Sequence, residues 1–303
     1  MKEIRRRKRE SAFIREQWRR HYENKYFALW MSKFEWKGID EEQERFVMSQ
    51  FWNQGKIACF KLKGSEGSES HPQGLLVFTS FAPTMYNIYN QPTHVTLINT
   101  RGVKFIPSSP QEVNKDVVLG YSSKQRNPIL SLISPLIDKI VDVEMVIRIN
   151  LDVHKVPWIV PVSDFDKEAV DKIANAIDND ETRIFIDVNE PNKATALVSG
   201  APYIIDKLYQ YKTALENEIR ELLGFNNIGV MEKKEHLING EIEANNDVLD
   251  QSDLSYLLSM EEFAKSVREI LGVTDFKVRL RESGSDDEQD PKDDREVEDD
   301  SDE

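Results

Sequence analysis

The chain has 303 residues, 54 acidic against 40 basic, for a formal net charge of −14; this length accommodates one elaborate domain or two ordinary ones. Hydrophobic residues make up 39%, with five Trp, nine Tyr and fourteen Phe, enough for a packed core, and the acidic balance argues against a simple basic nucleic-acid binder. The charge is uneven: residues 1–20 sum to +6 and residues 281–303 to −10, flanking a body of net −10.

Residues 1–14 read as a basic, flexible terminus. Its run Arg5, Arg6, Arg7, Lys8, Arg9 is a candidate contact for nucleic acid or for an acidic protein surface, because adjacent cations release counterions from phosphate. No apolar run follows it, so no secretory signal is expected. From Phe13, the positions Ile14, Trp18, Tyr22, Tyr26, Leu29, Trp30 and Phe34 recur every three to four residues. They predict an amphipathic helix of about five turns, with arginines on its other face. Trp18, Tyr22 and Tyr26 could stack bases, but their helical spacing favours packing.

A second helix is predicted from Glu41 to Gln54, ended by Gly55. Ile57–Lys61 reads as a strand, with Cys59 a small buried hydrophobe; as the single cysteine it excludes an internal disulfide and any multi-cysteine metal site. Leu75–Phe81 and His94–Asn99 read as further strands, separated by Pro83 and Pro92. Residues 41–125 should therefore form a small α/β or α+β unit.

Ile129, Ile133, Leu136, Ile140, Val143 and Ile147 form the stripe of a long helix, widened by Ile137, Val141 and Leu151. Pro135 predicts a kink, or a helix start just before it. The charges at Asp138, Lys139, Asp142, Glu144 and Arg148 disqualify this stretch as a membrane span, so a soluble chain is expected. Trp158–Val162 and Arg183–Val188 read as strands around a helix capped at Ser163-Asp164. A second long helix is predicted with Pro202 in its first turn, the stripe Ile204, Leu208, Tyr211, Leu215, Ile219 and Leu222, and Gly224 at its end. Residues 225–253 are polar and show little periodicity. Met260–Leu271 and Phe276–Leu280 complete the chain as a helix and a strand.

Catalytic chemistry is absent from the pattern. There is no Gly-rich phosphate loop, and the five histidines are isolated. Asp164 and Asp166 have the spacing of a metal-binding carboxylate pair, but acidic side chains also belong at a helix N-terminus for electrostatic reasons. No catalytic residue, metal ligand or cofactor is predicted, and the chain is not expected to be an enzyme. On the residues alone, a cytosolic nucleic-acid-binding adaptor using Arg5–Arg9 stays open as an alternative.

Three segments carry a resemblance: Ala201-Pro202-Tyr203-Ile204-Ile205-Asp206-Lys207-Leu208, Leu222-Leu223-Gly224-Phe225 and Glu232-Lys233-Lys234-Glu235. Preceded in order by Trp18…His21-Tyr22, Phe34-Glu35-Trp36 and Tyr89-Asn90-Gln91, they resemble the head–tail connector (portal, upper collar) proteins of small short-tailed phages with protein-primed genomes. The likeness runs from about residue 15 to 280.

The resemblance implies an α+β portal fold assembled as a ring of twelve subunits around a double-stranded DNA channel at one capsid vertex. It divides the chain into a wing (15–127), stem helices (128–156 and 191–223), a small strand–helix–strand clip (157–190), a channel loop (224–253) and a wing or crown helix and strand (254–280). Lys233 and Lys234 would be the loop lysines that project towards DNA. The implied partners are the major capsid protein, lower collar and tail proteins, a packaging ATPase and a scaffold protein, with no membrane. The acidic stretch 281–303, predicted to be a disordered tail, matches nothing in the family pattern.

Overall fold

In a computed structural model of the chain, residues 2–65, 73–99, 102–155, 202–225 and 239–281 are described. The expected clip (157–190), the acidic tail after Arg281, and Asp164 and Asp166 lie outside them.

Helix α1 spans Lys2–Met31, so the helix predicted from Phe13 begins eleven residues earlier, within the basic start of the chain. Its first turns contain Lys, Arg and Glu, all good helix formers, and no Gly or Pro interrupts them. Tyr22, Tyr26 and Trp30 are buried, one turn apart, and Trp18 stacks on Tyr22 with ring centroids 6.0 Å apart. These aromatics therefore pack. Phe13, at the N-terminal end of the predicted stripe, is 62% exposed. Phe34 enters the core from strand β1 (Phe34–Lys37), because the helix stops at Met31.

Helix α2 (Glu41–Gln54) has the predicted limits. The Asp40 carboxylate accepts from the Gln43 N–H at 2.7 Å, and the Gln43 side chain accepts from the Asp40 N–H, forming a capping box. At the other end Gly55 adopts φ +67°, and a Cβ there would lie 2.5 Å from the backbone of Asn127.

Strands β2 (Lys56–Lys61), β3 (Leu76–Thr79) and β7 (Val118–Tyr121) form an antiparallel sheet in the order β3-β2-β7. A second antiparallel sheet orders β4 (Phe81–Tyr86), β5 (Pro92–Leu97) and β6 (Gln111–Glu112) consecutively. The two prolines do not separate strands as expected. Pro83 lies within β4, and Pro92 opens β5. Both positions tolerate the missing N–H: β4 is an edge strand whose register shifts between Pro83 and Met85, and Pro92 is a first residue.

Helix α3 (Ile129–Lys155) runs through Pro135. Helix α4 (Ile205–Leu222) starts three residues after Pro202, so this proline precedes the helix instead of occupying its first turn. The predicted α4 stripe also shifts at its ends. Leu215, Ile219 and Leu223 are buried, whereas Tyr211 and Leu222 are exposed. Helix α5 (Asn239–Leu271) begins about six turns before the predicted Met260, so the C-terminal part of the expected loop 224–253 is helical. After Gly240 this sequence has no Gly or Pro to stop it.

Strand β8 (Lys277–Leu280) returns to β1 as an antiparallel ribbon. The main core lies where α1, α2, α3, α5 and this ribbon meet. Trp36 stacks on Phe276 at 5.1 Å, and Phe263, Phe51 and Phe78 surround the pair. The mixture of long helices and small antiparallel sheets makes the fold α+β, as expected. Cys59 is buried in β2, where burial pushes its thiol pKa up.

Candidate functional site: the paired long helices

The two long helices do not pack as an isolated pair. Helix α1 lies against α3, and its arginines, expected on the far face, partly point inward. Arg15 is ion-paired with Asp142, and Arg19 reaches Asp138 at 3.1 Å and the Ser134 hydroxyl at 3.0 Å. The Glu23 carboxylate, which accepts a hydrogen bond from Arg19, together with nearby Asp138, raises the Arg19 pKa further.

Deeper in the bundle, Glu144 of α3 joins all three helices. It accepts a 2.6 Å hydrogen bond from the Tyr22 hydroxyl of α1 and pairs with Lys212 of α4, also at 2.6 Å. Burial, and then the Glu144 carboxylate, push the Tyr22 phenol pKa well up, so the group stays protonated as a donor. One turn along α4, Glu216 faces Lys25 of α1 at 3.4 Å and Arg220 at 3.9 Å. The carboxylates of Glu144 and Glu216 are only 13% and 16% exposed, so water weakens these pairs less than it weakens surface pairs.

The character of the helices changes along their length. In α3, Ile129, Ile133, Leu136, Ile137, Ile140, Val141 and Val143 are buried. Beyond them Val146, Ile149 and Leu151 are 42–59% exposed, and Tyr203, Tyr209 and Tyr211 at the facing start of α4 are 48–62% exposed. The ends still meet: the Asn150 side-chain amide donates to the Pro202 carbonyl at 3.1 Å, and His154 lies edge-on to Tyr203 at 5.6 Å. An apolar, aromatic patch is thus carried by a fixed helix pair and left uncovered by the chain's own described residues. Such patches mark protein–protein contact.

At the other end of α4 the Lys33 ammonium donates to the carbonyls of Gly224 at 2.5 Å and Leu223 at 3.3 Å and sits over the Phe225 ring at 4.5 Å. This cation satisfies carbonyls at a helix C-terminus, where a positive charge is favoured. It fixes the point from which the chain leaves towards Lys233 and Lys234.

Those two lysines lie outside the described residues. Arg5, Arg6, Arg7, Lys8 and Arg9 lie in the first turns of α1. Sequence reasoning missed Glu144 and Lys212. Glu144 is one of five charges in the α3 stretch, with Asp138, Lys139, Asp142 and Arg148, and nothing in the sequence sets it apart from the other four. Among the described residues no group of three or more His, Cys, Asp or Glu is arranged to hold a metal ion, and no helix is long and apolar enough to cross a membrane.

The family model for Phage Connector (GP10) matches residues 1–283. The chain belongs to the phage connector family. Among solved structures, the connector is similar to a chain from the portal and tail of native bacteriophage P68, at 14% identity, over 94% of this chain and 92% of that one, with a TM-score of 0.48. As a family member it is a head–tail connector, a component of the virion at the portal vertex.

Proposed function

We propose that this connector forms a closed ring of twelve subunits around a channel through which double-stranded DNA is packaged, retained and ejected, and to which the tail attaches. The observation that carries the reading is the uncovered apolar patch on the outer halves of α3 and α4, including Val146, Ile149, Tyr209 and Tyr211. Repeating one head-to-tail contact around an axis covers this patch in every copy, and a closing rotation gives a ring instead of a filament.

In this reading α3 and α4 are the stem, residues 157–190 the clip, and the remaining helices and sheets the wing and crown. The major capsid protein would hold the wing. The packaging ATPase, a scaffold protein and the lower collar and tail proteins would bind the exposed ends, with Arg5–Arg9 a contact for capsid or nucleic acid.

The charge balance suits a conduit. Twelve copies at −14 each carry −168, so the assembly repels phosphate and does not grip a duplex that must slide. Lys233 and Lys234 would place two rings of positive charge in a negative tube, a weak brake without sequence preference. Replacing both with Ala is expected to leave ring assembly unchanged and to lower DNA retention late in packaging, measured as the fraction of filled heads that keep their genome. Loss of the ring itself would mean that the loop lies at the subunit interface. Negative-stain imaging of the purified protein tests the ring.

A further inference from the structure

The outer face of the β1–β8 ribbon carries three cations, Lys37, Lys277 and Arg279, against the single carboxylate of Glu35. Alternation along the two strands sends Phe34, Trp36 and Val278 into the core and leaves Glu35, Lys37, Lys277 and Arg279 on the other face. The register places Lys37 directly opposite Lys277 and Glu35 opposite Arg279. The second pair is satisfied, with Arg279 bonding Glu35 at 2.8 Å. The first is a like-charge pair at cross-strand contact, an unfavourable arrangement. The ladder continues past the strands, since the Arg281 N–H donates to the Lys33 carbonyl at 2.7 Å. This sets Arg281 opposite Lys33 as a third cross-strand pair, in which the Lys33 ammonium is held by the α4 C-terminus. An adjoining cleft of about 550 Å³ is lined by Lys124, Lys265, Arg268 and Lys277 against Glu261 and Glu262. A chain of net charge −14 thus concentrates positive charge at one place.

That place is also where the acidic stretch departs. Residues 282–303 hold thirteen Asp/Glu against Lys292 and Arg295, for a net −11, and they begin at the residue after Arg281. Their first acidic cluster, Asp286-Asp287-Glu288, follows Ser283-Gly284-Ser285, residue types that allow a chain reversal. Five residues from Arg281 to Asp286 span up to about 17 Å, and the return along β8 to Lys277 needs about 13 Å. We propose that the outer face of the β1–β8 ribbon is the docking surface of the chain's own acidic residues 282–303, seated through Asp286, Asp287 and Glu288 over Lys37 and Lys277. The docking is within one chain and does not depend on ring formation. It neutralises the like-charged pair and holds the acidic segment beside the Lys33 cap of α4.

Carbodiimide coupling of carboxylates to amines, applied to the full-length protein at low salt and read by peptide mass spectrometry, tests the proposal. Lys37 and Lys277 are expected to couple to the 286–288 peptide at least tenfold more than Lys104, an exposed lysine between β5 and β6, and the excess is expected to vanish in 0.5 M salt. Mixing isotopically heavy and light protein should show the links within single chains. K37E/K277E should abolish them, and adding D286K/D287K/E288K should restore coupling between the reversed positions. Coupling spread evenly over exposed lysines, or formed only between chains, would overturn the proposal. So would a K37E/K277E protein that keeps its tail links and loses affinity for duplex DNA, since the face would then belong to phosphate.

Discussion

Leu215→Asp is expected to destabilise the chain by about 4 kcal/mol or more and to abolish assembly. Leu215 is 4% exposed and lies with Ile219 in the main core, on the face of α4 that meets α3. Removing a buried Leu side chain costs about 2–5 kcal/mol, and placing an unpaired carboxylate there adds a desolvation penalty of similar size unless the group takes up a proton. The sum approaches the whole stability of an ordinary domain, about 5–15 kcal/mol. The matched control is Tyr209→Asp, on the same helix but 62% exposed. It should leave the urea unfolding midpoint nearly unchanged and still impair assembly, because it puts a charge into the patch assigned to the neighbouring subunit. If both variants unfold at wild-type denaturant concentration, α4 is not packed as described.

The second large effect is expected at Glu144. Its carboxylate holds the Tyr22 hydroxyl and the Lys212 ammonium together. Truncation to Ala leaves Lys212, 19% exposed, without its counter-charge and Tyr22 without its acceptor. Removing one member of a buried ion pair costs about 3–5 kcal/mol; the partial exposure here lowers the expectation to about 2–3 kcal/mol. Glu144→Gln keeps an acceptor for Tyr22 and loses only the charge, so it should cost about half as much. Tyr22→Phe should cost about 1 kcal/mol, the net worth of one hydrogen bond. A double-mutant cycle between Glu144→Ala and Tyr22→Phe should show coupling. Strict additivity would mean that the hydrogen bond contributes nothing to holding α1 on the stem pair.

The parts of this fold that were legible in the sequence are those whose signals are local. Helix α2 was legible to its limits because its signals are local: Gly55 marks its end in the sequence, and the structure shows Asp40 capping its start. The α3 stripe was legible because six of its residues face a single core. What was missed depends on distant partners. Strand β8 was legible as Phe276–Leu280, but β1 and its pairing with β8 were not, because the two strands have four residues each and meet across a separation of 244 positions. Helices α1 and α5 extend well beyond their apolar stripes because helix-forming polar residues continue them. The final buried position of α4 is Leu223 and not Leu222, a one-residue error that only the packing of α4 on the wing resolves.

The functional residues divide in the same way. Phe34-Glu35-Trp36 and the Leu222–Phe225 segment carry the family likeness, and both anchor structure: Trp36 stacks in the core, and Leu223 and Gly224 accept from Lys33. The ionic junction at Glu144 and the cationic ribbon face were not legible. Each is assembled from residues that are unremarkable in sequence and become a constellation only when helices or strands far apart in the chain are placed side by side.

The central claim, a closed ring built by covering the α3/α4 patch, is tested most directly by the native mass and negative-stain images of the purified full-length protein. The expected result is a single species of twelve copies of the 35.1 kDa chain, seen end-on as a ring with an opening wide enough for duplex DNA. A monodisperse monomer or dimer at micromolar concentration, with no ring at any salt concentration, would contradict it.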